Sequence, residues 1–314
     1  MRRLLVNDML SALPDHRTFW DDLRDWFDCE FVGGDYSILA AEADKKSGGA
    51  SLIIRNASWF PPIPGKIPTI SLLQDIALEG PMREMQEAVI ASSCAVVFNS
   101  AFTASKYAKP AGIAEQHGLG DDATVNSHVI PLPVDFDTFE PGNHMGLQQA
   151  LSLPDGAVIW VGSQHTIKGW DVFLRVVRVN PDIPFVAVFK DALPEYGPPN
   201  LRMYSRVTHG ELAKIIGACR VGLCTSRTES QHLAGIEMGA CGLPLVTPNV
   251  GTYWNRAEMP GVIINEPTVN LYSAAIRQML VAGGNPNPVR DYWKREFGPY
   301  VVRAAWAKLI EEVE

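Results

Sequence analysis

Short apolar runs alternate with amphipathic stretches along most of this chain of 314 residues. Residues 4–6, 51–55, 69–73, 95–99 and 128–132 read as strands in the first half. Residues 158–162, 184–189, 201–204, 221–225, 244–246 and 262–264 do so in the second. Helical periodicity fills the intervals, as at 80–92 and 170–179. Strand and helix in regular alternation is the pattern of parallel βαβ units, so the expected fold is α/β with two tandem doubly wound sheets. The periodicity breaks between residues 136 and 151, where Glu140-Pro141-Gly142-Asn143-His144 interrupts it, and a new unit starts at Pro154-Asp155-Gly156.

Length and composition agree with two domains, since 314 residues with 46% apolar content suffice for two ordinary cores. No run of 18 apolar residues exists, and the N-terminal Met1-Arg2-Arg3-Leu4-Leu5-Val6 is broken by Asn7-Asp8. The expected location is the cytoplasm, with no integral membrane segment. Five cysteines, Cys29, Cys94, Cys219, Cys224 and Cys241, lack any Cys-x-x-Cys pair and read as reduced core residues. A formal charge of −8 argues against an electrostatic grip on nucleic acid or anionic membrane. The aromatic amphipathic stretch at 17–27 has a mainly acidic polar face, which favours core or domain-interface packing over a membrane surface.

The most informative segment runs from Thr225 to Val246, TSRTESQHLAGIEMGACGLPLV. It passes from a strand end through a polar turn into a helix, stops near Gly242, and re-enters a strand at Pro244. A helix starting near Gln231 would aim the free N–H groups of His232, Leu233 and Ala234 at an anion such as phosphate. Glu229 and Glu237, eight positions apart, would be separated by roughly 12 Å at helical rise. That matches the span from a donor sugar to the ribose across a diphosphate. With its two spaced glutamates and Gly-x-Pro-hydrophobic-Val ending, the segment resembles the donor site of family 4 glycosyltransferases, which are retaining enzymes of the GT-B fold. The resemblance implies that Glu229 contacts the donor sugar, that the Ser230, Gln231, His232, Leu233 and Ala234 backbone meets the diphosphate, and that Glu237 binds ribose hydroxyls.

A second segment, from Val158 to Leu174, is similar to the family's strand, Gly-Arg turn, Lys-Gly and helix, with Gly162 and Lys168 in matching places. A lysine there supplies a mobile point charge for the departing phosphate. Where the family has an arginine, this chain has Ser163; His165, Arg227 and His232 are the candidates to replace that charge.

Residues 128–141 resemble the inter-domain segment of the same family, and 297–311 its C-terminal helix, which crosses back to the N-terminal domain. The implied layout is two Rossmann-like domains: residues 1–140 on the acceptor side, 141–290 on the nucleotide-sugar side, and 291–314 returning. The acceptor half carries weaker signals. Asn7-Asp8-Met9-Leu10-Ser11 stands where the family has a glycine-rich turn, and Gln74 with Asp75 stands where it often has a histidine. These two either bind an acceptor or cap the next helix. The proline-rich loop at 61–68, with Asn56-Ala57-Ser58-Trp59-Phe60 before it, either lines a cleft or is a stiff surface loop.

The expected activity is transfer of a sugar from a nucleotide-diphosphate sugar to a hydroxyl acceptor with retention, the domains closing over the cleft. No cofactor or metal is expected. The seven histidines show no ligand spacing, and Asp135-Phe136-Asp137 falls in the inter-domain segment rather than at a metal site. Neither a P-loop nor Gly-x-Gly-x-x-Gly occurs. An epimerase or phosphorylase on the same scaffold, or a degenerate nucleotide-sugar-binding protein, are the alternatives. The acceptor is left open among glycans, lipid-linked sugars, small metabolites and, against the acidic charge, modified DNA.

Overall fold

The computed structural model describes residues 3–7, 19–27, 30–31, 50–56, 67–107 and 126–313. The turn at 8–11, the loop at 57–66 and Cys29 lie outside the described residues. The chain forms two compact units, Met1–Pro133 with Tyr300–Glu314, and Val134–Pro299.

The first unit is built on a six-stranded sheet in the order β2-β1-β3-β4-β5-β6. Its strands are β1 (Arg3–Asn7), β2 (Glu30–Phe31), β3 (Ala50–Asn56), β4 (Thr69–Leu73), β5 (Ala95–Phe98) and β6 (Ser127–Val129). All neighbours are parallel. The last strand is shorter than its apolar run because Pro131 has no N–H to give the ladder. Among the described residues, three helices belong to this part of the chain: α1 (Phe19–Phe27), α2 (Gly80–Ser92) and α3 (Ala101–Ser105). On one face, Leu23 of α1 packs with Leu52, Ile54, Ile70 and Trp306, and Phe19 lies 5.6 Å from the Trp306 ring. The acidic amphipathic stretch is thus core packing. Trp306 comes from the chain's last described helix, which places its Val302, Trp306, Leu309 and Ile310 in this same core. Cys94 departs from the expected core placement: it is exposed, because inward-facing positions start only at Ala95, and its thiol reaches the Thr69 carbonyl.

The second unit carries another all-parallel six-stranded sheet, in the order β12-β11-β10-β7-β8-β9. Its strands are β7 (Val158–Gly162), β8 (Phe185–Phe189), β9 (Leu201–Ser205), β10 (Val221–Leu223), β11 (Leu245–Pro248) and β12 (Gly261–Ile264). Between and after them run α4 (His144–Leu151), α5 (Trp170–Val179), α6 (His209–Gly217), α7 (Leu233–Ala240), α8 (Val269–Ala282), α9 (Pro286–Phe297) and α10 (Pro299–Val313), the last extending into the first unit. One face is covered by Phe173, Val176 and Val177 of α5 and Tyr272, Ala275 and Ile276 of α8. The other is covered by α6, α7 and α9 through Ile215, Ile236 and Trp293. The chain winds outward from β7 to β9, then returns to place β10 on the other side of β7. Loops leaving β7 and β10 therefore diverge at a topological switch point, where open α/β sheets bind ligands.

Candidate donor site

Two loops are stitched together at this switch point. After β7, residues Thr166–Lys168 form a 3-10 turn that ends on Gly169 at φ 68°. A Cβ at Gly169 would lie 1.9 Å from the Thr225 carbonyl oxygen, so only glycine allows the turn to lie against the segment leaving β10. Thr225 closes the seam. Its hydroxyl faces the carbonyls of Lys168 and Gly169 at 3.1 and 3.0 Å and accepts from the buried Trp160 indole at 3.0 Å. The Arg227 amide donates to the Ile167 carbonyl at 2.8 Å. These contacts draw residue 225 out of the strand, which ends at Leu223 rather than at the 225 that its apolar run predicts.

The seam brings Lys168 onto Glu229. The Lys168 Nζ donates to both carboxylate oxygens, at 2.7 and 2.9 Å, and the Ser226 hydroxyl donates to Oε1 at 2.7 Å. Glu229 is 7% exposed, whereas the Lys168 side chain retains 34%. Burial alone would raise the Glu229 pKa, but His232, Lys168 and Ser226 outweigh it and hold the carboxyl below the usual carboxylate range.

The helix begins two residues later than its pattern predicts. His232 has φ 67° and ψ 65°, a left-handed conformation that cannot continue a right-handed helix, so α7 starts at Leu233. Glu229 therefore lies outside the helix, and helical rise covers only part of the interval to Glu237. The His232 Nδ1 pairs with the Tyr253 hydroxyl at 2.5 Å. Tyr253 belongs to a 3-10 turn, Gly251–Tyr253, after β11, whose Thr252 amide donates to the Gln231 carbonyl at 3.3 Å. At Gly235 a Cβ would sit 1.6 Å from the Tyr253 hydroxyl, so a side chain there would exclude the contact.

Cys224, Glu229 and His232 are all buried, and one ligand atom of each lies within 4.8 Å of the others. Burial would raise the Cys224 pKa and lower that of His232, yet attraction between the pair prevails and the shifts are reversed. Glu237 on α7 is pushed up to about 7 by burial, with His232 pulling the other way.

The remaining predicted residues sit around this centre with other duties. Arg227 makes a two-pronged bond to Asp171 at 2.9 and 2.8 Å and also reaches the Thr166 carbonyl. His165 is exposed, and its Nδ1 accepts from the Ile167 amide at 3.2 Å. Gly162 ends β7 with Ser163 partly exposed after it. Ser230, Gln231, Leu233 and Ala234 surround the start of α7, Gln231 being buried. In the first unit, Gln74 and Asp75 follow β4. Their carbonyls accept from Asn99 at 3.1 Å and the Tyr107 hydroxyl at 3.0 Å. The N-cap of α2 is Glu79, so neither of them caps it.

Sequence reading missed Cys224, Ser226 and Tyr253. Ser226 lies inside the matched segment and Cys224 immediately before it, where a spacing of Cys-x-x-x-x-Glu-x-x-His was available as a signal. Tyr253 has no local signal. A cavity of about 780 Å3 at the opposite, N-terminal edge of this sheet is lined by Asp155, Arg220, Asp182 and Arg277. Those charges already pair with one another, at 3.1 and 2.7 Å.

No family model matches the chain. It is 25% identical over 291 residues to a D-inositol 3-phosphate glycosyltransferase of Thermobifida fusca, covering 80% of this chain and 66% of the relative. A counterpart from Mycobacterium tuberculosis is 24% identical over 289 residues, covering 80% and 58%. The chain thus spans less than two thirds of these relatives' length. Among solved structures, sucrose-phosphate synthase from Thermosynechococcus elongatus superposes with a TM-score of 0.73 at 14% identity, over 99% of this chain and 88% of that one. Anabaena HepE in complex with UDP-glucose gives 0.72 at 13% identity, over 99% and 100%. The fold is that of the GT-B glycosyltransferases, and in sequence the chain is similar to D-inositol 3-phosphate glycosyltransferases of family 4.

Proposed function

We propose that this chain is a retaining glycosyltransferase that binds a nucleotide-diphosphate sugar in its Val134–Pro299 unit and passes the sugar to a hydroxyl acceptor. The observation that carries the reading is the Lys168–Glu229 pair, held across the switch point beside the start of α7. An ammonium has three N–H donors. Two reach Glu229, and the partly exposed head leaves the third for a phosphate oxygen. In the reaction, the acceptor oxygen bonds to the anomeric carbon on the face from which the diphosphate departs. The carbon–phosphate oxygen bond breaks, and the acceptor proton passes to the leaving oxygen. Lys168 and the free amides of α7 meet the charge that grows there. Glu229 takes a hydroxyl of the sugar, Glu237 takes the ribose hydroxyls, and no metal is assigned to the step. Gln74 and Asp75 are the acceptor-side candidates.

A panel of UDP-, GDP- and ADP-sugars screened for thermal stabilisation tests the donor half, because a ligand at 100 times its Kd stabilises by about 2.7 kcal/mol. The preferred donor is then mixed with candidate acceptors. A phosphorylated cyclitol comes first, given the names of the relatives, followed by glycans and lipid-linked sugars. NMR of the product reads the anomeric configuration. Stabilisation by no nucleotide-sugar would sink the proposal. A donor-binding module without turnover is the second reading, favoured by Ser163 and by the engagement of Arg227 with Asp171. Stabilisation without product for any acceptor would select it.

A further inference from the structure

Sugar recognition accounts for Glu229 but not for the Cys224 thiol and the His232 imidazole gathered against it. We infer that these three side chains form a binding site for a thiophilic divalent cation, zinc above all, and that filling it closes the donor site. The second half rests on the proposed function; the first does not.

One sulfur, one imidazole nitrogen and one carboxylate oxygen, all within 4.8 Å of one another, converge in a buried space. A tetrahedral zinc ion, with bonds of about 2.0–2.3 Å, holds its ligands roughly 3.5 Å apart. Side-chain movements of the order of an ångström therefore complete the site. The donor set selects the ion: magnesium and calcium take oxygen ligands, whereas sulfur with imidazole favours zinc and its neighbours. As the metal–sulfur bond forms, the Cys224 thiol releases its proton to solvent. Thiolate, carboxylate and neutral imidazole then balance a divalent charge, which permits an ion to rest in a buried place.

The ligands are also held as metal ligands are held. A metal-bound histidine nearly always has its other ring nitrogen bonded to an oxygen. Here Tyr253 takes Nδ1 at 2.5 Å, and the imidazole also hydrogen-bonds the Cys224 thiol, a contact that an ion placed between the two would replace. Ser226 fixes one Glu229 oxygen at 2.7 Å. His232 is kept at φ 67°, an unfavourable backbone for a residue with a side chain, and Gly235 makes room for the hydroxyl that orients it. Three protein ligands leave a fourth position for water or an exogenous group.

An ion bound here takes a Glu229 oxygen that Lys168 now uses and repels the Lys168 ammonium. Both groups assigned to the donor are thereby withdrawn. The ion acts as an inhibitor and has no part in transfer.

The test uses the whole chain, freed of metal by chelator and titrated with Zn2+ and Co2+. We expect one equivalent bound, with a thiolate-to-cobalt charge-transfer band in the near ultraviolet. Cys224→Ser should abolish the band and weaken zinc at least tenfold, while Cys94→Ser and Cys241→Ser keep both. Tyr253→Phe, which retains the ring, should weaken zinc about 10–100-fold, with circular dichroism checking that each variant is folded. Absence of the band, or a band that survives Cys224→Ser, overturns the site. In parallel, one equivalent of Zn2+ should raise the Kd for UDP or GDP at least tenfold in the parent and leave it unchanged in Cys224→Ser. A bound ion with unchanged nucleotide affinity overturns the closing role alone. A chain that binds zinc as described but no nucleotide overturns the proposed function and leaves the metal site standing.

Discussion

Lys168 and Glu229, 61 positions apart in sequence, meet with the ammonium bonded to both carboxylate oxygens, at 2.7 and 2.9 Å. The carboxylate is buried and the ammonium partly exposed, so the two depend on each other unequally. Glu229 draws on His232, Lys168 and Ser226 together to remain charged inside the protein. Lys168 needs Glu229 only for its position.

Lys168→Ala should therefore have two effects. The rate at saturating donor should fall by about 10²–10³, the loss typical of one donor aimed at developing charge, with donor affinity altered less. Stability should also fall, by about 1–3 kcal/mol, because a buried acceptor loses its partner. Adding Glu229→Gln should recover much of the stability and none of the rate. Denaturant unfolding and steady-state kinetics on the three variants check this; an unchanged saturated rate in Lys168→Ala removes its assigned role.

Glu237 sets a pH dependence. Burial raises its pKa to about 7, so below that pH it is mostly neutral and accepts ribose hydroxyls poorly. Donor affinity should weaken as pH falls from 8 to 6, and binding near pH 6.5 should release protons. Calorimetry in buffers of different ionisation enthalpy reads that release. In Glu237→Gln the affinity should be lower throughout, and the part of the pH slope due to Glu237 should vanish. A slope identical in parent and variant would falsify the assignment.

Ser163→Arg should tighten nucleotide diphosphate binding. Arg227 is held by Asp171, His232 is buried against Tyr253, and His165 is exposed on the turn. None of the three is placed as a substitute cation. A guanidinium bonded to phosphate contributes about 1.5–3 kcal/mol, or roughly tenfold to a hundredfold in Kd. Weaker binding in the variant would mean that the space beyond Gly162 is already filled.

Gly235→Ala should destabilise the fold near the site, since its Cβ would sit 1.6 Å from the Tyr253 hydroxyl. Removing that oxygen moves the nearest tyrosine ring atom to 3.0 Å. Tyr253→Phe should therefore rescue part of the loss, and a double-mutant cycle by thermal unfolding measures the coupling. Strictly additive effects would show that the clash is relieved elsewhere.

Much of the fold was legible because its signals are local. The apolar runs at 69–73 and 158–162 coincide with β4 and β7, and the periodicity at 80–92 and 170–179 with α2 and α5. Strand limits shifted where a neighbour competed for the backbone: Thr225 leaves β10 because Trp160, Lys168 and Gly169 engage it. The start of α7 shifted because the left-handed conformation of His232 cannot be read from its side chain.

By itself, the sequence determined two parallel α/β units and the segments around Lys168, Glu229 and Glu237, since hydrophobic period and short-range spacing are properties of the chain. Only the tertiary structure decided that Lys168 bonds Glu229, that Arg227 is taken by Asp171, and that Cys224, His232 and Tyr253 gather behind them. Those relations join loops from different strands, and they arise from the winding order that sets β7 beside β10 and β10 beside β11. A residue's type does not reveal which partner will claim it; that depends on which groups burial brings within reach of one another.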